Sequence, residues 1–390
     1  MSSMERSEII KFFLNSGHQL DPKSLQFFEK NPDQMVKVLE KIKTLNVPMI
    51  TFDFVEKLLK PTGLKILKDF SQQKKIHTVD DYRNFFSKRY DQIKNFLVKK
   101  SDLINLLSIN RITDKINNFS LIILVKEIIP EECSAVVEDG TGELKIFFDK
   151  KVEDFSSIVP DEVIGLVCKK QGFEVNADKI VWPDIPLKKQ VAKSSDDIFC
   201  LFISDFHMDS KEFKKQSYEN FLNWLEKAEY KNLFIFILGD VSSNKKHLNN
   251  LFGRLSKYNK FFLRGELDPF FDDTLNNPSL VEIQGVTIFL SHGDVFSKYA
   301  TKWTNLPPEK VFLNLIKKRH LNPIFNNSIY DEDPYFLNVV PDVFVSGHFH
   351  LPGIINYKGI TIISNGSFIT QPIFWLINLR TRETFKIDFT

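Results

Sequence analysis

The sequence predicts a small N-terminal helical domain and a β-barrel, followed by a larger α/β domain. Three observations carry this prediction. The chain has 390 residues, which is too long for one ordinary hydrophobic core. Strand-type runs dominate from about residue 107 to 187. From residue 197 onward, apolar runs alternate with segments of helical periodicity, which is typical of an α/β domain with buried strands.

The composition is that of an ordinary globular protein. Hydrophobic residues make up 43% of the chain and charged residues 26%. No long uncharged stretch suits a bilayer, and the first residues carry charge where a signal peptide needs an apolar run. We therefore expect a cytoplasmic protein without membrane contact. The net charge is only +2, so contact with DNA would need local basic clusters or a partner.

Residues 1–75 are predicted to form the helical domain, and residues 76–106 a linker helix. Asp21-Pro22 and Asn31-Pro32 supply signals for the starts of helices, and Gly17 supplies a stop signal between them. The polar segment from Ser71 to Lys75 is the expected linker. In the helix that follows, from about Asp80 to Val98, apolar residues recur at helical spacing: Tyr82, Phe86, Ile93 and Leu97.

Residues 107–190 are predicted to form the barrel. Two β-rich runs flank the turn Asp139-Gly140-Thr141-Gly142. Later strand-type segments continue to Trp182, and an OB-type barrel of five strands needs about this length.

Residues 191–390 are predicted to form the α/β domain. Five of its apolar runs end in a short polar cluster: Ser204-Asp205-Phe206-His207, Gly239-Asp240, Gly265-Glu266-Leu267-Asp268, Ser291-His292-Gly293 and Gly347-His348-Phe349-His350. In open α/β folds, ligands bind beyond the carboxyl ends of the strands. We therefore expect these clusters to converge at one edge.

The residue types in these clusters suit a metal site. Asp-x-His and His-x-His place two side chains on the same side of an extended segment, so each pair could bind one metal. Carboxylates and imidazoles together suit manganese, iron or zinc, and about seven such residues exceed the needs of one tetrahedral ion. Two metals that polarise a phosphate and generate hydroxide would hydrolyse phosphoesters.

Each residue also has a simpler interpretation. A lone Asp at a strand end commonly caps a helix or forms a turn, and a lone His is commonly structural. However, four of the eight histidines fall in these clusters, which favours a shared site. The other four are assigned structural roles: His18, His77, His247 and His320.

The order of these motifs resembles the calcineurin-like metallophosphoesterase superfamily. Two stretches, SDFHMDSKEF and the segment from IKKRHLNPIF to SNGSF, resemble the small subunits of archaeal D-family DNA polymerases. The resemblance implies an α/β metallophosphoesterase domain of two packed sheets flanked by helices, preceded by an OB-type barrel and a small N-terminal helical domain. It covers nearly the whole chain and is strongest after residue 200.

The resemblance also implies roles for single residues. Asp205, His207 and His350 would hold the first metal, and Asp240 would bridge the two. His292 and His348 would belong to the second metal. The cofactors would be two divalent ions, manganese foremost, with iron, zinc or magnesium as alternatives.

The third motif departs from the family pattern. The family has Gly-Asn-His-Asp, whereas this chain has Gly265-Glu266-Leu267-Asp268. Glu266 could still donate an oxygen to the second metal, but its added negative charge would make that metal a weaker Lewis acid. Leu267 cannot transfer a proton, and loss of one general acid typically costs about 10²- to 10⁴-fold in rate. A slow nuclease is the expectation.

The family implies 3′–5′ exonuclease activity, DNA as substrate and a large catalytic partner subunit, with the sliding clamp as a further candidate partner. The basic run Lys317-Lys318-Arg319 could meet a phosphate backbone or simply form an exposed basic face. Two other functions stay open. One is an architectural subunit that has lost its activity, as in eukaryotic polymerase B-subunits, and the other is a stand-alone phosphatase or nuclease.

Overall fold

The computed structural model describes residues 6–32, 34–42, 48–52, 54–55, 63–69, 78–149, 152–187, 189–230, 232–271, 274–326, 328–330 and 332–390. The chain divides into two compact units, Met1–Lys65 and Ile66–Thr390. The predicted linker from Ser71 to Lys75 and His77 lie outside the described residues. The finer division at residues 75, 106 and 190 stays a prediction.

The first unit is helical, as expected. Its helices are α1 (Arg6–Leu14), α2 (Pro22–Lys30) and α3 (Gln34–Ile42), and two short parallel strands, β1 (Gln19–Leu20) and β2 (Met49–Ile50), pair beside them. Gly17 ends α1 with a φ of 83°, a left-handed conformation that glycine adopts without strain. Asp21 caps α2 by accepting a hydrogen bond from Ser24 N at 2.7 Å.

The second unit starts within strand β3 (Leu64–Asp69) and continues into helix α4 (Val79–Leu97). Thr78 and Asp81 form a capping box at the start of α4. The buried face of the helix carries Phe85, Arg89, Ile93 and Leu97. The predicted face was therefore wrong at its first turns, where Tyr82 is exposed and Phe86 is only partly buried.

A closed barrel follows α4. Its strands are β4 (Leu106–Leu107), β5 (Asn118–Ile129), β6 (Ser134–Asp139), β7 (Gly142–Phe148), β8 (Val163–Gln171) and β9 (Glu174–Val181). Strand β5 pairs with β6 on one side and with β8 on the other, so the order β5-β6-β7-β9-β8 closes on itself. Five strands in a closed ring are consistent with the predicted OB-type barrel. The predicted turn at residues 139–142 joins β6 to β7.

The remaining strands form two sheets. The first contains β10 (Phe199–Ile203), β11 (Leu233–Ile237), β12 (Asn259–Phe262), β18 (Ile373–Asn378) and β19 (Thr384–Asp388). The second contains β13 (Ser279–Ile283), β14 (Val286–Ser291), β15 (Val343–Ser346), β16 (Gly353–Tyr357) and β17 (Ile360–Ser364), with the part of β3 from Ile66 onward at its edge. Strands β10, β11 and β12 are parallel, as are β14, β15 and β17.

Helices cover one face of each sheet. Helices α5 (Lys215–Lys227) and α6 (Lys245–Arg254) pack on the first sheet, and α7 (Ser297–Lys302) and α8 (Pro308–Lys317) on the second. Residues on the other faces, such as Phe202 and Val345, are also fully buried. Trp375 of the first sheet donates a hydrogen bond to the Ser364 carbonyl of the second at 3.0 Å. The expected α/β domain of two packed sheets flanked by helices is confirmed.

Among the described residues, none of the helices combines the length and the apolar character that a membrane crossing requires.

Candidate metal centre

Six of the predicted site residues lie in two compact groups at the carboxyl ends of parallel strands. One group is Asp205, His207 and His350, and the other is Asp240, His292 and His348; within each group the ligand-type atoms lie within 4.8 Å of one another. Asp205, His207 and Asp240 follow β10 and β11 of the first sheet, whereas the three other histidines follow β14 and β15 of the second. Each group therefore needs both sheets.

The first group has its nitrogen and oxygen atoms turned toward one another. The Nε2 atoms of His207 and His350 are 3.0 Å apart, and Asp205 Oδ1 lies 3.8 Å from the former and 3.4 Å from the latter. Asp205 Oδ1 is buried and has no hydrogen-bond partner among the described residues. A buried carboxylate oxygen without a donor is costly unless a cation compensates it. This arrangement fits a metal ion between the three side chains.

The second group is more deeply buried. His292 Nε2 lies 3.4 Å from Asp240 Oδ2 and 3.3 Å from His348 Nδ1. His292 Nδ1 donates to the Leu238 carbonyl at 2.9 Å, which directs Nε2 toward Asp240. The Ser297 hydroxyl bonds His348 Nε2 at 2.8 Å and so leaves His348 Nδ1 for the group. Such outer contacts fix the orientation of imidazole ligands in metal sites.

The charges of the two groups influence one another. Burial alone would raise the pKa of Asp240, but the hydrogen bond and charge of His292 outweigh it and lower the pKa to about 2. Burial alone would lower the pKa of His292, yet Asp240 and Asp205 raise it to about 9. Burial lowers the pKa of both His207 and His348. Burial thus favours the neutral form of His207 and His348, which metal ligation requires, whereas the raised pKa of His292 shows that Asp240 and Asp205 favour a positive charge at that position.

The chain reaches these positions through left-handed backbone conformations. Five of the six residues have a positive φ: Asp205 (54°), His207 (48°), Asp240 (52°), His348 (71°) and His350 (56°). Non-glycine residues adopt this region at some cost, and such conformations concentrate at functional sites. The expectation that strand alternation places both members of each pair on one metal was wrong for His348 and His350. They follow the strand end in a turn and enter different groups.

Two glycines allow the backbone to approach the carboxylates closely. A Cβ atom on Gly347 would lie 2.7 Å from Asp205 Oδ2, and a Cβ atom on Gly265 would collide with Asp240 Oδ1. Asp205 Oδ2 accepts a hydrogen bond from His348 N at 2.9 Å, which joins the two groups. These glycines belong to the site because any side chain would displace a carboxylate.

The comparisons with known proteins agree with this geometry. The family model described as calcineurin-like phosphoesterase matches residues 200–352. These residues form a calcineurin-like phosphoesterase domain. The match begins at β10 and ends just after His350, so it includes all six residues of the two groups.

The similarity to curated proteins extends beyond this phosphoesterase domain. The DNA polymerase II small subunit of Archaeoglobus fulgidus is 23% identical over 96% of this chain and 93% of its own length. That of Methanothermobacter thermautotrophicus is 25% identical over 76% of this chain and 74% of its own. The predicted resemblance to archaeal polymerase small subunits is thus confirmed. Among solved structures, vacuolar protein sorting 29 from Cryptosporidium parvum aligns with 49% of this chain and 96% of its own length, at 16% identity. The TM-score of this alignment is 0.31, which is too low to support an argument.

The side chains of the third motif, Gly265-Glu266-Leu267-Asp268, do not take the metal-binding role that was expected of Glu266. Glu266 is exposed and belongs to neither group, so its predicted place among the metal ligands is not supported. The Leu267 side chain is 51% exposed. The backbone of the motif nevertheless supports the centre, because Leu267 N donates to Asp240 Oδ1 at 3.0 Å.

Asp268 was missed as a site residue. Its carboxylate accepts hydrogen bonds from four backbone N–H groups: Asp240 at 2.7 Å, Val241 at 2.7 Å, Ser242 at 3.1 Å and Gly265 at 2.9 Å. It therefore holds the loop that carries Asp240 against the third motif. Its place at the end of the Gly-Glu-Leu-Asp motif was a usable signal, since a buried Asp in a loop commonly binds backbone donors.

The predicted nucleic-acid contact at Lys317, Lys318 and Arg319 was wrong in its main part. Lys318 is 3% exposed and donates to Glu162 at 2.7 Å, while Arg319 is 3% exposed and donates to the carbonyl of Leu337 at 2.8 Å. Neither cation is available to a phosphate. Lys317 is half-buried and lines a cavity of about 240 Å³. The basic run ends α8, where two of its three side chains face the interior.

Proposed function

We propose that the chain is the small subunit of an archaeal D-family DNA polymerase whose phosphoesterase domain hydrolyses DNA phosphodiester bonds as a two-metal 3′–5′ exonuclease. The observation that carries the proposal is the pair of adjacent groups, each with one carboxylate and two imidazoles at a strand edge. The similarity to DNA polymerase II small subunits over 96% of the chain supplies the polymerase context.

In this proposal Asp205, His207 and His350 hold one divalent ion, and Asp240, His292 and His348 hold the second. Two bound ions supply Lewis acidity toward a phosphate and a lowered pKa for an attacking water. Mixed carboxylate and imidazole ligands suit manganese, with iron, zinc and magnesium as alternatives. Asp268 keeps Asp240 in place, and Ser297 orients His348.

The alternative is an architectural subunit without activity. The exposed, non-ligating Glu266 and Leu267 favour it, because the usual general acid of the family is absent. The six residues of the two groups argue against it. A decayed site has no reason to keep the buried Asp205 Oδ1, which has no hydrogen-bond partner in the described part of the chain, beside two imidazoles. We therefore favour the enzyme.

A degradation assay with the Asp240→Asn variant tests this function. The purified chain should shorten a 3′-recessed or single-stranded oligonucleotide in the presence of manganese. Asp240→Asn should reduce the rate at least about 100-fold, because loss of a ligand should exceed the effect of losing an outer contact. The matched control, Asp178→Asn at an exposed ion pair of the barrel, should leave the rate unchanged. Equal rates in wild type and Asp240→Asn would contradict the enzyme and favour the architectural alternative.

The proposed partners are the large catalytic subunit, DNA and the sliding clamp, and the proposed location is the archaeal cytoplasm at the nucleoid. Copurification of the chain with a coexpressed large subunit tests the first contact. Metal analysis of the purified chain should find about two divalent ions per molecule, and Asp240→Asn should lower that content.

A further inference from the structure

His247 forms a cluster with Asp209 and Ser242 outside the two metal groups. Its Nδ1 atom lies 3.0 Å from Asp209 Oδ1 and 3.0 Å from Ser242 Oγ. Ser242 Oγ donates its own hydrogen to Asp209 Oδ2 at 2.7 Å. Ser243 adds a backbone donor to the same carboxylate oxygen at 2.7 Å. Asp209 is therefore a well-held anion beside the ring.

These contacts determine the tautomer of the His247 ring, that is, which ring nitrogen carries the hydrogen. Both neighbours of Nδ1 are oxygen atoms that act as acceptors toward the ring, so Nδ1 carries a hydrogen. Among the described residues, Nε2 has no hydrogen-bond partner, and the side chain is 44% exposed. An aspartate on Nδ1 fixes the orientation of an imidazole ring. Nε2 is therefore the ring nitrogen of His247 that is left for a contact outside the cluster.

The cluster borders the metal centre through two short loops. Asp209 follows His207 by two residues, and Ser242 follows Asp240 by two. The loops are joined by backbone hydrogen bonds from His207 N to the Asp240 carbonyl at 3.0 Å and from Met208 N to the Val241 carbonyl at 2.9 Å. His247 is thus attached to both loops that deliver metal-group carboxylates.

The same helical turn also contacts the third motif's loop. Lys245, two residues before His247, donates to the Phe270 carbonyl at 3.5 Å and lies over the Phe271 ring at 4.7 Å. Phe270 is three residues after Leu267, which replaces the family's histidine. The first turn of α6 is therefore joined through Lys245 to the loop that continues from the third motif.

We propose that His247 is the proton donor to the leaving oxygen in phosphodiester hydrolysis, in place of the histidine that Leu267 replaces. The inference rests on the proposed function. A water oxygen forms the new bond to phosphorus and releases a proton to solvent, and the bond from phosphorus to the sugar oxygen breaks with its electron pair on that oxygen. The oxygen takes the proton from His247 Nε2, and solvent then returns a proton to the ring.

The His247→Gln variant tests the inference with two substrates. DNA has an alkoxide leaving group that needs a proton, whereas bis(p-nitrophenyl) phosphate releases a stable phenolate that does not. His247→Gln should slow DNA hydrolysis by about 10²- to 10⁴-fold but slow hydrolysis of the aryl ester by less than about threefold, because only the former needs general acid. Equal losses on both substrates, or no loss on DNA, would overturn the inference.

Controls separate this result from structural damage and from failure of the proposed function. Lys246→Gln, an exposed cation on the same turn, should leave both rates unchanged. His247→Gln should retain the wild-type metal content and unfolding midpoint. In the otherwise wild-type chain, Leu267→His should add less than about threefold to the DNA rate, and a gain of about 100-fold would show that no donor acts at present. A wild-type chain inactive on both esters would overturn the proposed function itself.

Discussion

At the scale of single residues, the site depends on side chains that the strands do not orient. Asp205, His207, His348 and His350 all adopt left-handed conformations after the strands have ended. Their directions are set by hydrogen bonds from neighbouring loops, such as that from His348 N to Asp205 Oδ2. The metal-group residues are therefore only as well placed as the loops that carry them.

Asp268 is the residue on which that placement most depends. Asp268→Ala would leave four backbone N–H groups without their acceptor, and each unsatisfied buried donor costs about 1–3 kcal/mol. With partial solvation by water, we expect a loss on the order of 3 kcal/mol in the free energy of unfolding, with reduced metal content. Urea unfolding monitored by circular dichroism measures the loss.

The control is Asp91→Ala on the exposed face of α4, whose free energy of unfolding should stay within about 0.5 kcal/mol of wild type. An equal effect of both variants would contradict the role of Asp268.

At the scale of elements, α4 is anchored by a buried ion pair. Arg89 donates to Asp333 at 2.9 Å and to the Pro323 carbonyl at 2.7 Å, and both charged side chains are about 95% buried. His320 donates to the same Asp333 oxygen at 2.8 Å. Helix α4, which precedes the barrel, is thus bound to the segment that follows α8. Neither stretch of sequence suggests this contact.

Breaking this pair should be strongly destabilising. Arg89→Ala removes the arginine partner of the buried Asp333 carboxylate, and removal of one partner of a buried pair typically costs about 3–5 kcal/mol. The matched control is Arg83→Ala, whose pair with Asp80 on the same helix is exposed and should contribute less than about 1 kcal/mol. Equilibrium unfolding in urea compares the two. Similar losses in both variants would show that Arg89 does not anchor the helix.

At the scale of the whole molecule, the metal centre lies where two sheets end side by side. Neither sheet contains a complete group, because His350 completes the set of Asp205 and His207, and Asp240 completes that of His292 and His348. Bound ions should therefore hold the two sheets together. Metal binding and folding stability are expected to be linked in this protein.

Adding manganese to the metal-free chain should raise its stability. At about 100 times the dissociation constant, binding at one site contributes about 2.7 kcal/mol. The unfolding temperature should rise with manganese and fall again on chelation, and the rise should be smaller in Asp240→Asn. Differential scanning fluorimetry over a manganese titration measures the effect. A wild-type unfolding temperature that is independent of manganese would refute binding at these groups.

The acid stability of the whole chain should reflect the buried cluster around Asp333. Burial alone would raise the pKa of Asp333, but His320 and Arg89 hold it well below its usual range. A depressed folded pKa means that this carboxylate stabilises the fold above its unfolded pKa of about 4, and that the contribution is lost as the pH falls below it. The stability advantage of wild type over Asp333→Asn should therefore shrink between about pH 5 and pH 3. Urea unfolding at a series of pH values measures it, and a constant difference would contradict the assignment.

The sequence by itself predicted the fold class and the six residues that the structure gathers in two groups, but it also predicted Glu266 as a seventh ligand, which lies in neither group. Apolar runs that end in Asp, His and Gly are local patterns, and the rule that ligands bind at the carboxyl ends of parallel strands turns them into a site. The sequence also showed that Leu267, at the position where the resembled family has a histidine, has no ionisable group.

Strand alternation suggested that His348 and His350 share a metal, whereas the family resemblance implied separate metals. The tertiary structure decided between the two, and only the tertiary structure showed which cations face solvent. His348 and His350 are two residues apart yet enter different groups, because the chain turns after β15 and the partner side chains come from the other sheet. Lys318 and Arg319 form a basic run in the sequence, but their side chains are buried. Lys318 donates a hydrogen bond to Glu162, and Arg319 donates one to the Leu337 carbonyl. Asp209 and His247 are likewise brought together only by folding. Such contacts join residues far apart in the chain, and no local periodicity encodes them.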